Sequence, residues 1–405
     1  MPLLRNWRKK PVTKNSEKRV PALRFKGFTN DWEQRKLGTA IKIIKDKNKN
    51  QHSYRAFSIS NIKGFIAQDE QFGKDNTYSK TDKSTNYIVK PGMFAYNPAR
   101  INVGSIAYQN QTEPVLVSSL YEIFQTNSKI DDSFLMNWFK TSLFNRQIKR
   151  LEEGGVRQYF FIDKMKETEI KLPSISEQNQ ISKLLQLVNK NLDLQQRKLK
   201  DIQLLKKAYL KAIFKSNKST YKLKDIADYR RGSFPQPYGN PKWYGGDGSL
   251  PFVQVIDVAK NLRLYNSTKQ RISRLAQSKS VFVPKGSILI TLQGSIGKVA
   301  ITQYDAFVDR TLLIISNLKK DVDKYYFAYA LQDKFNEEKR KAPGGTIKTI
   351  TKNALSEFQI KLPKKDIQKK QSSILQKIDK DIYIINLKLS ELSKFKQFLL
   401  QNMFI

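Results

Sequence analysis

The chain has 405 residues, room for two or three domains with separate cores, and its 74 Lys and Arg against 36 Asp and Glu give a formal charge of +38. An excess of that size points to a polyanionic partner, because each phosphate that a side chain neutralises releases condensed counterions. The absence of Cys and the single His52 exclude disulfides, thiolate metal sites, a zinc site and a Ser-His-Asp triad with local partners, and fit a reducing cytoplasm.

Residues 1–20 read as a basic arm (Arg5, Arg8, Lys9, Lys10, Lys14, Lys18, Arg19) with no apolar signal-peptide core behind it. A mixed α/β domain is expected over 21–173. It has strand signals at Arg55–Ile62 and Pro114–Phe124, then a helix from Asp131 to Glu153 and a Gly154-Gly155 loop. Between Ser174 and Lys215 there is neither Gly nor Pro, which predicts one continuous helix over 174–216. A second mixed domain follows over 217–363. Its strand signals are Pro251–Val258, Ser287–Leu292 and Leu312–Ser316, before a helix from Asp321 to Lys341 and a Gly344-Gly345 loop. Residues 364–405 again lack breakers and predict a second long helix. No apolar run approaches the ~18 residues that a membrane span needs, so no membrane partner is expected.

Both long helices carry apolar residues in steps of three and four. The first has Ile181, Leu185, Val188, Leu192, Leu199 and Ile202, with Gln195 interrupting; the second runs from Leu375 through Ile378, Ile382, Ile385, Leu389 and Leu392 to Phe395, Leu399 and Met403. A helix of about 38 residues is roughly 57 Å long. The seams most simply bury each other as an antiparallel coiled coil. Leu184, Leu187, Leu194, Leu204, Tyr383, Ile384 and Leu387 fall on the outer faces, where they favour docking partners.

The chain repeats itself. Gly154-Gly155, Ile170-Lys171-Leu172-Pro173 and Phe214 recur 190 residues later as Gly344-Gly345, Ile360-Lys361-Leu362-Pro363 and Phe404, and the register extends back to Asp131 and Asp321. Upstream the match loosens but persists. Val89–Tyr96 faces Val283–Ile290, Val103–Tyr108 faces Ile296–Ile301, and Arg35–Ile44 faces Tyr221–Arg230. The expected fold is therefore two α/β domains in a pseudo-two-fold repeat, separated by two long helices.

Catalytic constellations are missing from the sequence. Gly294–Ala300 has a Gly-Lys pair but neither the spacing nor the hydroxyl of a phosphate loop. No glycine-rich loop follows an opening strand, as a cofactor-binding Rossmann unit requires. Asn97-Pro98-Ala99-Arg100 lacks the second Pro and the stacking aromatic of an adenine-methyltransferase tetrad and reads as a turn. Asp247 and Asp257 read as isolated turn and strand-end residues.

Taken in order and twice over, these features resemble the specificity subunits of Type I restriction–modification systems, from about Val20 to the C-terminus. Val20–Gly38 looks like the opening of such a subunit. Ile170–Asn189 is similar to the exit from its first domain into the spacer helix. Leu205–Phe214 and Phe395–Phe404 are similar to its helix ends. One departure is that Ile367–Asp379 lacks the Glu-Gln start of Glu177-Gln178. The resemblance implies two target-recognition domains on double-stranded DNA, each reading one half of a split site, with the helices as a ruler. It also implies two modification subunits that methylate adenine and restriction subunits that translocate and cleave. S-adenosylmethionine, ATP and Mg would belong to those partners, with no cofactor and no catalytic residue on this chain.

Base edges are read by Arg, Lys, Asn and Gln, and phosphates are held by Lys and Arg. Candidates at matching loops are Arg55, Asn61, Lys63, Asn97, Arg100, Arg157 and Gln158 in the first half. In the second they are Arg230, Arg231, Gln254, Lys260, Gln293, Lys298 and Lys348. Gly154, Gly155, Gly344 and Gly345 would let the backbone approach DNA. Tyr159-Phe160-Phe161 is expected in the core. A stand-alone DNA-binding regulator with a coiled-coil spacer, or a structural adaptor, fits the same composition. The first would bind one site tightly without a methyltransferase partner, and the second would show no sequence preference.

Overall fold

The computed structural model describes residues 7–9, 20–72, 83–151, 159–215, 219–341, 350 and 352–405. They fall into two compact units, Met1–Gln196 with Lys388–Ile405, and Arg197–Leu387.

The first unit holds β1 (Trp7–Lys9), β2 (Leu23–Phe25), β3 (Glu33–Lys36), β4 (Ile41–Ile44), β5 (Phe57–Ser60), β6 (Gly64–Ala67), α1 (Gln68–Phe72), β7 (Tyr87–Val89), β8 (Phe94–Tyr96), β9 (Ile106–Tyr108), β10 (Val115–Val117), β11 (Glu122–Thr126), α2 (Asp132–Trp138), α3 (Ser142–Leu151), α4 (Ile162–Glu167), β12 (Glu169–Leu172) and the beginning of α5 (Ile175–Lys215). Its main sheet is antiparallel in the order β4-β11-β8-β9. Beside it β12 pairs with β3, β10 with β7 and β5 with β6. The strands are short because turn residues punctuate each apolar run, and Pro114–Phe124 divides into β10 and β11 around an exposed Leu120. The core is aromatic, with Phe94 stacked on Phe124 at 5.0 Å and Phe139 edge-on to both.

The second unit repeats the plan with the end of α5, β13 (Ser219–Lys222), α6 (Leu223–Ile226), β14 (Ala227–Arg231), β15 (Leu250–Val253), β16 (Gln270–Ile272), α7 (Arg274–Gln277), β17 (Val281–Val283), β18 (Ile288–Thr291), β19 (Val299–Ile301), β20 (Ala306–Val308), β21 (Leu312–Leu318), α8 (Lys324–Lys341), α9 (Lys352–Ser356), β22 (Gln359–Leu362) and the beginning of α10 (Lys365–Asn402). The order β14-β21-β18-β19 matches the first main sheet, and β13 with β22 matches β3 with β12. A second sheet, β16-β15-β20-β17, carries β15 parallel to β20. Its partner in the first unit is looser, with β5 meeting β10 through the single parallel bridge Ala56–Leu116.

Both long helices form where the sequence predicts them. In the first unit Ile181, Leu185 and Val188 share a core with Leu399, Met403 and Phe404. In the second, Ile213 and Phe214 share one with Leu375. The start of one helix thus meets the end of the other within each unit, the antiparallel pairing that the two seams require.

Three expectations change. The helix expected from Asp131 to Glu153 breaks between α2 and α3, where Thr141 Oγ1 donates to the Trp138 carbonyl at 2.7 Å and competes with the helical ladder. Asp131 caps α2, but Asp323 rather than Asp321 caps α8, each accepting an N–H three residues on. The repeat is therefore two residues longer in the first unit around that break. The Glu-Gln start is only half missing. Gln368 Nε2 donates to the Pro363 carbonyl and its Oε1 accepts the Asp323 N–H, as Gln178 does for Pro173 and Asp131. Only Glu177, whose carboxylate accepts from Arg24 Nε at 2.7 Å and Nη2 at 2.8 Å, lacks a counterpart, since Ile367 stands there.

Candidate nucleic-acid interface

In the first unit two turns build a surface. The β5–β6 hairpin turns at Ser60, whose Oγ accepts the N–H of Ile62 at 3.2 Å and of Lys63 at 3.4 Å. Asn61, Ile62 and Lys63 are exposed on its tip, Ile62 at 88%. The β8–β9 turn is held by Asn97 Oδ1, which accepts the Ala99 N–H at 3.0 Å, and by the Arg100 carbonyl, which accepts the Ser105 N–H at 3.1 Å. Ser105 Oγ donates to the Ile59 carbonyl at 3.0 Å and joins the two turns. At the junction Gly104, with φ of +87°, takes the left-handed backbone that glycine adopts at least cost, and a Cβ there would lie 3.4 Å from that of Asn61. Asn61, Lys63, Asn97 and Arg100 are thereby gathered on adjoining turns.

Arg55 does not join them as a free cation. Its guanidinium bonds Asp69 at 2.7 and 3.2 Å and Glu70 at 3.0 Å, and the Asp69 hydrogen bond is the first cause of its raised pKa. Phe160 N–H donates to the Pro98 carbonyl at 3.1 Å, so the chain leaving residues 152–158 arrives at the same turn. Gly154, Gly155, Arg157 and Gln158 lie outside the described residues. Of the aromatic triplet expected in the core, only Phe160 is fully buried. Phe161 is exposed, and Tyr159 stacks on it at 5.4 Å, since each ring covers the apolar face that the other would present to water.

The second unit brings the same two turns together. After β15 the chain turns through Gln254–Asp257, locked by the buried Asp257. Its Oδ2 accepts the Gln254 N–H and its Oδ1 the Lys269 N–H, both at 2.8 Å. The expected strand Pro251–Val258 ends at Val253 for that reason. The β18–β19 turn is held by Thr291 Oγ1, which donates to the Ser295 carbonyl at 2.6 Å and accepts the Lys298 N–H at 2.9 Å. A Cβ on Gly294 would lie 3.7 Å from Val255 Cγ1, so the turns touch as they do around Gly104. Gln254, half-buried, and Gln293, exposed, share this surface, and Lys260 is exposed further along the connection. Lys298 Nζ reaches the Val258 carbonyl at 3.5 Å. Burial first, and then the Lys298 charge, push the Lys339 ammonium down, a strain that an anion would relieve. Arg230 and Arg231, exposed on β14, line a cavity of about 300 Å³ with Leu292 and Ile350. Ile350 follows residues 342–349, which include Gly344, Gly345 and Lys348 and lie outside the described residues.

Sequence reasoning missed Tyr238, Asp309 and Arg310, which lie together beside Gln254. The available signal was an Asp set between two buried apolar runs, Ala306–Val308 and Leu312–Ile315. Among the described residues no group of three or more His, Asp and Glu is placed to hold a metal, and no helix is long and apolar enough to cross a membrane.

Two units that repeat one strand-and-turn plan, together with two long helices, are the make-up of a DNA-specificity protein. The chain belongs to the Type I restriction modification DNA specificity domain family, which it matches in two copies over residues 29–204 and 215–394. It is similar, at 22% identity over 91% of both chains, to a Methanocaldococcus jannaschii protein provisionally named type I restriction enzyme MjaX specificity subunit. The type I restriction enzyme MjaIX specificity subunit of the same organism is 30% identical over 39% of this chain and 37% of its own. In fold it resembles the S subunit of a type I restriction–modification system from M. genitalium, with a TM-score of 0.64, 14% identity, and 95% of this chain and 99% of that one covered.

Proposed function

We propose that this specificity subunit reads an asymmetric bipartite DNA site, one half with each unit, and that the paired helices fix the gap. The target-recognition domains would run over 21–173 and 217–363, with the basic arm at 1–20 and the spacer helices at 174–216 and 364–405. The observation that carries this reading is that both units join the same two turns with different side chains. Asn61, Lys63, Asn97 and Arg100 stand in one, Gln254 and Gln293 in the other. Equivalent scaffolds with unlike amides and cations read unlike half-sites.

In this reading the chain is a non-catalytic subunit in the cytoplasm and holds no cofactor. Two modification subunits methylate adenine with S-adenosylmethionine, and restriction subunits add ATP- and Mg-dependent translocation and cleavage. Exposed Leu187, Leu194, Leu204, Ile384 and Leu387 on the helices support protein partners there. Leu184 and Tyr383 are half-buried instead, Leu184 against the first core and Tyr383 under Arg263 at 5.0 Å.

The test is co-expression with the modification subunit encoded beside it, in a host without DNA methylation, followed by genome-wide mapping of modified adenines. A motif of two unlike halves with a fixed gap is expected. A soluble complex without any methylated motif would overturn the reading in favour of a stand-alone binder.

A further inference from the structure

Beneath the turn that follows β15 lies a carboxylate that its own strand leaves half satisfied. Asp309 is fully buried. Its Oδ1 accepts the Thr311 N–H at 2.9 Å and the Thr311 hydroxyl at 2.5 Å. Its Oδ2 has no hydrogen-bond partner among the described residues. A bare carboxylate oxygen away from water is expensive, so a donor is needed on that side. The Tyr238 phenol faces it. Burial first, and then the Asp309 charge, push that phenol upward. Arg310 lies over the same ring, 5.3 Å from its centroid.

The Tyr238 oxygen serves as an acceptor on its other side. Gln254 Nε2 donates to it at 3.1 Å. That bond turns one N–H toward Tyr238 and leaves the second N–H and one lone pair of Oε1 for a ligand, the other lone pair facing the Asp257 N–H across the capping box. The backbone of Gln254 is held as well, by Asp257 Oδ2 at 2.8 Å. A surface Gln ordinarily keeps its rotamer freedom, worth up to about 2 kcal/mol, and this one is ordered at both ends before any ligand arrives.

We infer that Gln254 reads an adenine in the major groove, its Oε1 accepting from the N6 amino group and its free N–H donating to N7, while Tyr238 and Asp309 act as positioning residues. The inference rests on the proposed DNA reading and sharpens it to one base in one half-site. An amide is the side chain that adenine's donor–acceptor pair fits, and one with a pre-set orientation rejects the reversed pair.

The experiment is methylation mapping with the whole complex carrying Gln254→Ala or Tyr238→Phe. Both variants are expected to give the wild-type gap and the wild-type first half-site. One A·T position of the second half-site should lose discrimination by roughly tenfold or more with Gln254→Ala, and by less with Tyr238→Phe. A merely structural role would blur the whole half-site or lower overall methylation instead, and either result overturns the assignment. So does an unchanged motif, or loss at a G·C position. Those failures leave the wild-type bipartite motif standing, whereas absence of a motif in the wild type sinks the DNA reading itself.

Discussion

Replacing Asp379 with Ala is expected to destabilise the second unit by about 3–5 kcal/mol. Asp379 of α10, next to the seam residue Ile378, and Lys206 of α5, four residues beyond Ile202, are drawn into the buried side of the helices, with side chains only 10% and 13% exposed. Lys206 Nζ lies 2.5 Å from Oδ1, and the Tyr329 hydroxyl donates to Oδ2 at 2.7 Å. Lys206 also reaches Asn261 Oδ1 at 3.2 Å and stands 5.6 Å from the Tyr329 ring centroid. Without the carboxylate, a buried ammonium keeps one neutral acceptor and a buried hydroxyl keeps none. A unit of this size loses about 2–4 °C of Tm per kcal/mol, so the unfolding midpoint should fall by roughly 6–20 °C. Calorimetry or urea denaturation of the full chain measures it. The double variant Lys206→Met with Asp379→Leu should recover part of the loss, because the buried ammonium is gone while the Tyr329 hydroxyl still lacks its acceptor. A shift below about 1 kcal/mol for the single variant, or a double variant no better than the single, refutes the argument. The repeat places Lys396 and Asn189 at the matching positions of the first unit, without the carboxylate. The ionic pair is thus a register mark present in one unit alone.

Three further outcomes are expected. Gln178→Ala should cost about 3 kcal/mol and Gln368→Ala about 2, because the first abandons three bonds to backbone groups and the second two; urea midpoints that rank them the other way contradict this. Glu357 is held down to about 2 from 4.5 by hydrogen bonds from Lys222 and then Lys224. A lowered carboxylate stabilises above its unfolded value and loses that contribution as pH falls from about 4.5 to about 2, so the stability gap between wild type and Glu357→Gln should close across that window; a pH-independent gap argues against it. Lys63→Ala and Arg100→Ala, with no carboxylate partner among the described residues, should each lower the salt slope of DNA binding by about one. Arg55→Ala, already paired with Asp69 and Glu70, should lower it by clearly less.

The sequence made the helices and the repeat legible because both are long-range regularities. Forty residues without a breaker and a three-four step leave little besides α5 and α10, and two copies of Ile-Lys-Leu-Pro expose the strand that pairs back at each domain exit. Local detail was less legible where tertiary packing overrode propensity. Nothing in Asp131–Glu153 announces a helix break, which follows from the burial of Phe139 among Phe94, Phe124 and Phe144 and from the Thr141 bond. At the candidate site the residue types were readable and their states were not. Lys63 and Arg55 look alike as letters, yet among the described residues Arg55 meets two carboxylates and Lys63 none. Asp309 went unremarked, since its meaning depends on Tyr238, which is distant in sequence.

That dependence yields a last prediction. Gly232 follows Arg230 and Arg231 where the chain leaves β14 and presses against the end of β20; its N–H donates to the Leu312 carbonyl, and the next N–H donates to that of Val308. A Cβ on Gly232 would lie 2.3 Å from the Val308 oxygen and 2.4 Å from the Asp309 oxygen. Both are backbone atoms of a buried strand end and have no rotamer to yield. Gly232→Ala must therefore part β14 from β20, an overpacking cost of about 1–3 kcal/mol or more. The displacement acts on the segment that seats Asp309, so it should also loosen Tyr238 and Gln254. In methylation mapping the second half-site should lose fidelity while the first, built on Gly104 and Asn61 in the other unit, stays sharp. A motif unchanged in both halves would show that the approach of β14 to β20 has no part in reading. Equal blurring of both halves would show that the damage spreads through the whole subunit rather than through the seat of Asp309.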